Sequence, residues 1–285
     1  MKYAVTGATG KLGQAIIAEL QTLVPIESIV AIVRNVEKAQ TVLPAGVEIR
    51  QGDYTDVSKM TAALTGIERL LFISSQPGGT VSRKQQHLNV VQAAQNAKIQ
   101  WIGYTSFPDA NQATTPLALD HQATESAILT TNLAHSFLRN NWYLENELPL
   151  IQAGLKGQPF VYAGGDGRVG WALEDDYAKA AARVLAAKQP KVIYEFSGSA
   201  HTYAELAAAV AEISTKPFTV ESLSSADYQA QLTAQGADEQ TVAVLGMLQQ
   251  LIRDNQLAQT TDDLATILNR PAPSLSTMLQ TIIKD

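Results

Sequence analysis

The chain has 285 residues, of which 46% are hydrophobic and 17% charged, and this composition supports a large core and excludes global disorder. Its net charge of −6 argues against binding to nucleic acid, and the absence of cysteine excludes disulfides and thiolate metal sites. The four histidines show no metal-ligand spacing, and no apolar run approaches the roughly 20 residues of a membrane span. We therefore expect a cytoplasmic protein without a metal or a membrane insertion.

The first stretch of the chain combines a short strand with a glycine-rich turn. An apolar run over Tyr3–Thr6 is followed by Gly7, Gly10 and Gly13, and a helical pattern over 11–23 comes next. In a dinucleotide-binding fold the first glycine allows the tight turn, the second admits a pyrophosphate and the third lets the helix pack on the strand. The amino terminus of the helix offers unpaired N–H groups to the phosphates. This stretch therefore predicts a dinucleotide-phosphate site.

The second predicted strand, at 28–33, ends in Arg34. This position, about 20 residues past the glycines, lies beside the adenosine ribose, where Asp or Glu would bind the 2′-hydroxyl of NAD. An arginine there would pair with a 2′-phosphate, so the sequence predicts NADP(H) rather than NAD(H). The alternative is an ordinary surface arginine.

Strands and helices continue to alternate up to residue 140. The remaining predicted strands of this part are 47–50, 67–73, 99–103 and 134–138, and the helices are 36–43, a helix around Met60, 83–97 and 116–129. Such alternation is typical of an α/β fold with a doubly wound parallel sheet, a Rossmann fold.

Polar residues follow two of these strands. Asp53 comes after the third strand and is either an adenine contact or, with Asp56, a helix cap. Ser74 and Ser75 come after the fourth strand, where they either line the ligand crevice or begin a loop.

The pattern changes after residue 143. Short strands are predicted at 158–162, 191–196 and 218–222, with helices at 146–153, 174–187, 202–213, 224–233, 241–254, 260–268 and 274–283. We assign residues 1–145 and 173–190 to the NADP(H)-binding domain. Residues 146–172 and 191–285 are assigned to a smaller α/β cap domain for the substrate.

Several short motifs resemble those of the NmrA-like, atypical members of the short-chain dehydrogenase/reductase superfamily. They lie at 6–13, 30–35, 52–54, 71–75, 104–106, 138–146, 164–168 and 176–183. The resemblance extends over essentially the whole chain and is weaker past about residue 222. It implies a compact bacterial NAD(P)H:quinone oxidoreductase that is a monomer or a homodimer.

The resemblance also implies roles for individual residues. The pyrophosphate would be held by Gly7, Thr9, Gly10, Lys11 and Leu12. Arg34 would hold the 2′-phosphate, and Ser74 and Ser75 would lie along the ribose. The nicotinamide side would be lined by Tyr104, Thr105 and Ser106, and the residues near both the nicotinamide and the substrate would be Asn140, Asn141 and Trp142.

The usual acid–base pair of the superfamily, Tyr-x-x-x-Lys, is missing. None of the nine tyrosines has a lysine four residues later, and His121 and Glu125 occupy the four-apart positions on the helix before the sixth strand. A quinone tolerates this loss, because it accepts a hydride readily and water can protonate the product. His121 or Tyr104 is a candidate proton donor, and the alternative for His121 is an exposed helix residue. We assign His87 to the surface or to packing.

Two functions are compatible with the missing pair. One is an NADPH-dependent quinone reductase, and the other is a non-catalytic NADP(H) sensor that regulates a protein partner. The acidic balance and the absence of an extra segment for a partner favour the enzyme.

Overall fold

The computed structural model describes residues 1–76 and 79–283. They divide into two compact units, each described here by itself. The first unit comprises Met1–Asn140, Asp175–Phe196 and Thr266–Asn269. The second comprises Asn141–Glu174, Ser197–Ala265 and the segment from Arg270 onward.

The described residues form the following elements. The strands are β1 (Tyr3–Thr6), β2 (Ile29–Val33), β3 (Glu48–Gln51), β4 (Arg69–Phe72), β5 (Trp101–Ser106), β6 (Ala134–Asn140), β7 (Phe160–Tyr162), β8 (Arg168–Val169), β9 (Ile193–Phe196), β10 (His201–Thr202) and β11 (Val220–Ser222). The helices are α1 (Lys11–Leu20), α2 (Val36–Val42), α3 (Val57–Leu64), α4 (Arg83–Asn96), α5 (Pro116–Leu129), α6 (Leu148–Leu155), α7 (Glu174–Ala186), α8 (Tyr203–Ile213), α9 (Ser225–Ala234), α10 (Glu239–Arg253), α11 (Asp263–Leu268) and α12 (Leu275–Ile282). None of these helices is long and apolar enough to cross a bilayer.

Within the described residues, seven strands of the first unit form one sheet in the order β3-β2-β1-β4-β5-β6-β9. Every neighbouring pair is parallel. The predicted α/β fold with a doubly wound parallel sheet is confirmed. The order reverses between β1 and β4, and in such sheets ligands bind outside the carboxyl ends of the strands at this switch point.

The outermost strand, β9, comes from a segment that the sequence assigned to the cap domain. In the structure β9 pairs with β6, with Leu138 opposite Tyr194. A short apolar run indicates a strand without indicating its partner, since pairing depends on residues far away in the chain. The predicted domain boundaries themselves stay a prediction.

The core of the first unit follows from the apolar patterns of its elements. Strand β2 is buried along its whole length, as expected for a parallel strand covered on both faces. Helix α1 buries Leu12, Ile16, Ile17 and Leu20 on one face. Full burial of such a side chain is worth roughly 1.5–3 kcal/mol, so this stripe holds the glycine turn against the sheet.

The second unit contains two small sheets. Strand β11 pairs in parallel with β7, and β10 pairs antiparallel with β8. The sequence did not predict β8 as a strand. Helix α8 begins with a capping box, in which the Thr202 and Glu205 side chains each bind the other's backbone N–H. The large side chains buried in this unit include Phe160, Trp171 and Tyr203.

Candidate functional site

The glycine turn after β1 has the backbone geometry that a phosphate cradle needs. Gly7 has a φ of +61°, which disfavours residues with a side chain. A Cβ at Gly13 would lie 2.7 Å from the Cα of Ala8, so only glycine lets α1 pack this closely on the turn. The N–H of Gly10 donates to the Gly7 carbonyl at 3.0 Å and closes the turn.

The amino terminus of α1 is open to an anion. Its N-cap is Gly10, no side chain caps it, and its first turn contains no acidic residue. The N–H groups at 11–13 precede the first backbone bond of the helix, from Gln14 N–H to the Gly10 carbonyl. Lys11 is exposed at this end, Thr9 is half-buried and Leu12 packs inward. These residues fit a diphosphate.

Arg34 follows β2 and is exposed. Its carbonyl accepts from Gln51 Nε2 at 3.2 Å. Asp53 accepts the Thr55 N–H at 2.9 Å through Oδ1 and so closes a turn. The cap of α3 is Asp56, which accepts from Lys59 N–H at 2.9 Å. The predicted contacts of Arg34 with the 2′-phosphate and of Asp53 with adenine stay predictions.

Hydrogen bonds tie the carboxyl ends of the central strands together. Ile73 N–H donates to the buried Thr6 Oγ1 at 3.0 Å, which links β1 to the end of β4. Ser74 N–H donates to Thr105 Oγ1 at 2.9 Å, which links β4 to β5. The structure therefore brings Ser74 and Thr105 together at the carboxyl edge of the sheet. The predicted places of Ser74 along the ribose and of Thr105 on the nicotinamide side stay predictions.

Next to these residues lies a buried polar group that we call the Arg83 cluster, formed by Arg83, His87, Tyr104, His121 and Thr124. Arg83 Nε donates to the Ser75 carbonyl at 2.6 Å, and Nη2 lies 3.0 Å from His121 Nε2. His121 Nδ1 lies 2.8 Å from the Tyr104 hydroxyl. His87 Nδ1 lies 2.8 Å from Thr124 Oγ1, and His87 Nε2 accepts the Ser75 N–H at 3.0 Å.

These contacts determine the tautomers of the two rings. Ser75 N–H and the guanidinium of Arg83 can only donate, so Nε2 of both His87 and His121 is an acceptor. The neutral rings therefore carry their hydrogens on Nδ1. His121 donates to the Tyr104 oxygen, so the structure does not aim His121 Nδ1–H at an external acceptor.

Burial and the nearby charge set the pKa values in the Arg83 cluster. Desolvation, followed by the positive charge of Arg83, lowers the pKa of His87 from 6.5 to about 3. The same causes, in the same order, lower the pKa of His121 well below 6.5. Burial also raises the pKa of Tyr104. Both imidazoles and the phenol are thus neutral near pH 7, and Arg83 carries the charge.

The exposed-helix alternative for His121 is wrong, and His87 belongs to packing rather than to the surface. His121 is 7% exposed and His87 is fully buried, because α4 and α5 both pack these rings toward Tyr104. Tyr104 is itself fully buried. The predicted catalytic roles of His121 and Tyr104 have no substrate contact to support them, and they stay predictions.

Glu125, the other residue in the place of the missing pair, has a separate partner. Arg139 on β6 forms a two-point ion pair with it, through Nε to Oε1 at 2.9 Å and Nη2 to Oε2 at 2.6 Å. Ser106 Oγ donates to the same carboxylate at 2.6 Å. The Ser106 side chain therefore turns into a buried network, and a cofactor contact there would involve its backbone.

The last three predicted cofactor residues lie at the end of β6 and just after it. Asn140 is the terminal residue of β6 and is 8% exposed. Asn141 and Trp142 begin the second unit. Asn141 donates to the Leu257 carbonyl at 3.1 Å and accepts the Trp142 N–H at 2.7 Å. Their predicted place near the nicotinamide and substrate stays a prediction.

The second unit contains a second buried polar group, the Glu147 cluster, formed by Trp142, Glu147, Trp171, Tyr203 and Gln249. Glu147 Oε1 accepts from Trp142 Nε1 at 3.1 Å and from Trp171 Nε1 at 3.3 Å. Glu147 Oε2 accepts from the Tyr203 hydroxyl at 3.0 Å, and Gln249 Nε2 donates to that hydroxyl at 3.1 Å. Desolvation raises the pKa of Glu147 to about 7, although the three donors act in the opposite direction.

Sequence reasoning missed Arg83 and Glu147. Arg83 has no motif around it, and its partners Ser75 and His121 are 8 and 38 residues away. The only signal for Glu147 was its place five residues after Trp142. A pattern search could have found neither, because each role depends on contacts between distant segments.

The chain is similar to known proteins that use NADPH, a dinucleotide of the kind that the glycine cradle predicts. Quinone oxidoreductase 2 of Escherichia coli (strain K12) is 43% identical over 235 residues, which are 82% of this chain and 82% of that protein. A solved structure of the NADPH-dependent quinone oxidoreductase QOR2 of E. coli, complexed with NADPH, matches with a TM-score of 0.92. It shares 37% identity and covers 99% of each chain.

A second solved structure is equally similar in shape. The Citrobacter sp. triphenylmethane reductase, complexed with NADP(H), has a TM-score of 0.91 and 34% identity, with 98% of this chain and 99% of that chain covered. The family model described as NAD(P)H-binding matches residues 7–169, more than half of the sequence and the part that holds the phosphate cradle. The chain therefore belongs to the NAD(P)H-binding family.

Proposed function

We propose that this chain is an NADPH-dependent quinone oxidoreductase that reduces a quinone by direct hydride transfer. The observation that carries the proposal is the open glycine cradle at α1, in a chain that is 37% identical over 99% of its length to a quinone oxidoreductase complexed with NADPH. When bound, NADPH supplies the hydride. The bacterial origin, the cytoplasmic location and the monomeric or homodimeric state stay predictions.

The residues of the first unit divide the binding task. Gly7, Thr9, Gly10, Lys11 and Leu12 surround the amino terminus of α1 and hold the diphosphate through backbone N–H groups and the charge of Lys11. Arg34 holds the 2′-phosphate in the manner of a charge-assisted pair. Ser74 and Ser75 lie along the ribose, and Thr105, which accepts the Ser74 N–H at the carboxyl edge of the sheet, lies on the nicotinamide side.

A direct assay tests the activity. The protein is mixed with NADPH and 1,4-naphthoquinone, and the loss of the reduced nicotinamide absorbance is followed against the spontaneous reaction. We expect turnover well above that background. Tight NADPH binding without turnover would overturn the proposal in favour of the non-catalytic NADP(H) sensor.

A charge reversal tests the cofactor preference. We expect Arg34→Glu to weaken NADPH binding by about 2 kcal/mol, roughly 30-fold, and NADH binding much less, because only NADPH carries the 2′-phosphate. Lys38→Glu is the matched control, since Lys38 is also exposed and lies on the adjacent helix α2. Equal losses for both cofactors, or for both variants, would remove Arg34 from the site.

A further inference from the structure

Arg83 lies at the edge of the sheet where the cofactor site is proposed. Its Nε donates to the carbonyl of Ser75, which follows β4, the strand on one side of the topological switch point. The side chain is only partly exposed. A positive charge is therefore held at the carboxyl edge of the parallel sheet, where ligands of such sheets bind.

Among the described residues, part of the Arg83 guanidinium has no hydrogen-bond partner and can bind a ligand. A guanidinium has five N–H groups, and within residues 1–76 and 79–283 the contacts of this side chain are with the Ser75 carbonyl and His121 Nε2. In this described part of the chain, three of the five N–H groups have no partner and can bind a ligand. Asp120 is close enough to raise the pKa of Arg83 but does not form an ion pair with it.

His121 contacts the Arg83 guanidinium, and Tyr104 in turn contacts His121. His121 is 7% exposed and accepts from Arg83, and Tyr104 is fully buried and accepts from His121. Both are neutral, because burial lowers the pKa of the imidazole and raises that of the phenol. They orient the guanidinium and have no charge of their own to offer.

The proposed reaction creates a negative charge that needs a partner. The hydrogen leaves the reduced nicotinamide with its electron pair, the nicotinamide is oxidised, and the neutral quinone becomes the hydroquinone monoanion. One proton from water then gives the hydroquinone. A preorganised cation beside the forming oxyanion lowers the barrier to such a step.

We propose that Arg83 stabilises the negative charge that develops on the quinone oxygen, with His121 and Tyr104 as positioning residues for its guanidinium. This inference rests on the proposed function and is an alternative to the proton-donor role that the sequence predicted for His121 and Tyr104. The proton comes from solvent.

The first test compares quinones that differ in the acidity of their hydroquinones. We expect Arg83→Gln to lower kcat/KM about 100-fold for electron-rich quinones, whose product anions are basic, and less for electron-poor ones. The dependence of kcat/KM on hydroquinone acidity thus becomes steeper than in the wild type, and Arg83→Lys restores part of it. An equal loss for every quinone would overturn the proposal, because a merely structural arginine would act in that way.

Arg69→Gln is the matched control. Arg69 begins β4 at the opposite end from Ser75, donates to the Leu185 carbonyl at 2.7 Å and stacks on Trp101. It is also a partly buried arginine held by a backbone carbonyl, so its loss tests the structural part of the effect. We expect unchanged kcat/KM and an unchanged dependence on the acceptor.

A second readout uses an acceptor of the opposite charge type. Hydride transfer to a cationic triphenylmethane dye gives a neutral product, which leaves no anion for Arg83 to stabilise. We expect Arg83→Gln to leave this rate unchanged or to raise it, because the loss of the positive charge also removes its repulsion of a cationic dye. A 100-fold loss with both the dye and the quinones would overturn the proposal.

The positioning role has its own test. We expect His121→Gln, which keeps an acceptor for Arg83, to retain kcat/KM within about threefold, and His121→Phe to reproduce the steeper acceptor dependence of Arg83→Gln. A His121→Phe variant with full activity would remove His121 from the inference. NADPH affinity, measured by fluorescence, is expected to be unchanged in both variants.

The outcomes separate this inference from the proposed function. A wild-type protein without quinone turnover overturns both. Wild-type turnover with an unchanged Arg83→Gln variant overturns only the role of Arg83. If Arg83→Gln does not fold, His121→Phe carries the same comparison.

Discussion

The two units of the molecule bury polar groups in opposite ways. In the first unit, the Arg83 cluster combines one cation with two imidazoles and a phenol, and these three neighbours are neutral near pH 7. In the second unit, the Glu147 cluster surrounds a carboxylate with two indoles and a phenol, and the pKa of that carboxylate is raised to about 7. The first cluster holds a fixed charge, whereas the charge of the second titrates.

The difference comes from the chemistry of the central group. A guanidinium is almost impossible to deprotonate. Burial instead lowers the pKa of the neighbouring imidazoles and raises the pKa of the phenol, so that these groups are neutral. A buried carboxylate takes up a proton more readily, so its pKa rises. The three N–H and O–H donors of the cluster offset only part of this rise in the pKa of Glu147. The stability of the first unit should therefore fail toward acid pH and that of the second toward basic pH.

The largest expected effect is the loss of the acceptor in the second unit. Glu147→Leu leaves two indole N–H groups and the Tyr203 hydroxyl facing an apolar side chain. We expect a loss of about 4 kcal/mol in the free energy of unfolding at pH 6. His87→Leu, which orphans mainly the Ser75 N–H, should cost about 2 kcal/mol. Urea denaturation measures both, and equal losses would break the comparison.

The next effect is the pH dependence that Glu147 produces. An unfolded glutamate loses its proton near pH 4.5 but folded Glu147 retains it up to about pH 7, so the native state binds more protons in that window. The contribution of Glu147 to stability therefore falls as the pH rises from 4.5 to 7, by about 3 kcal/mol in total. Glu147→Gln removes this loss. A Glu147→Gln profile that keeps the wild-type slope would show that the carboxylate is not the titrating group.

The Arg83 cluster should give the opposite slope. The pKa of folded His87 is about 3, against 6.5 for an unfolded histidine, so the unfolded state binds more protons below pH 6.5. Stability therefore falls with falling pH, by about 2 kcal/mol at pH 5. His87→Gln should abolish this part of the loss, and the part that comes from His121 should remain. Between pH 4.5 and 6.5 Glu147 opposes the two histidines, so Glu147→Gln should steepen the fall in stability toward acid pH and His87→Gln should flatten it.

The parts of the site that could be predicted from the sequence depend on local geometry. The glycine at position 7 indicates a positive φ, and the glycine at 13 indicates that the helix backbone packs closely on the turn at Ala8. Arg34 could be predicted because the second strand of this fold ends at a known distance from the glycines. The alternation of strand and helix predicted the sheet for the same reason.

The two buried clusters could not be predicted, since their members come from distant segments. His121 drew attention through the missing Tyr-x-x-x-Lys pair, but its contact with Arg83 crosses 38 residues. Glu147 meets Tyr203 across 56 residues, and Gln249 is 46 residues further along the chain. Helical periodicity indicates which face of a helix is buried, but it does not indicate which polar side chains meet there.

The smallest expected effect isolates one hydrogen bond of the Glu147 cluster. Trp142→Phe removes the indole that donates to Glu147 Oε1 at 3.1 Å, so the pKa of Glu147 should rise further. We expect a loss of about 1 kcal/mol in stability at pH 8 beyond the loss at pH 5, where the carboxyl is already protonated. Trp101→Phe in the first unit is the control, because the buried Trp101 Nε1 has no hydrogen-bond partner among residues 1–76 and 79–283. Trp101→Phe should lower the stability by the same amount at pH 5 and at pH 8, because it removes only packing. If the losses at the two pH values differ equally in both variants, the indole of Trp142 does not stabilise the charge on Glu147.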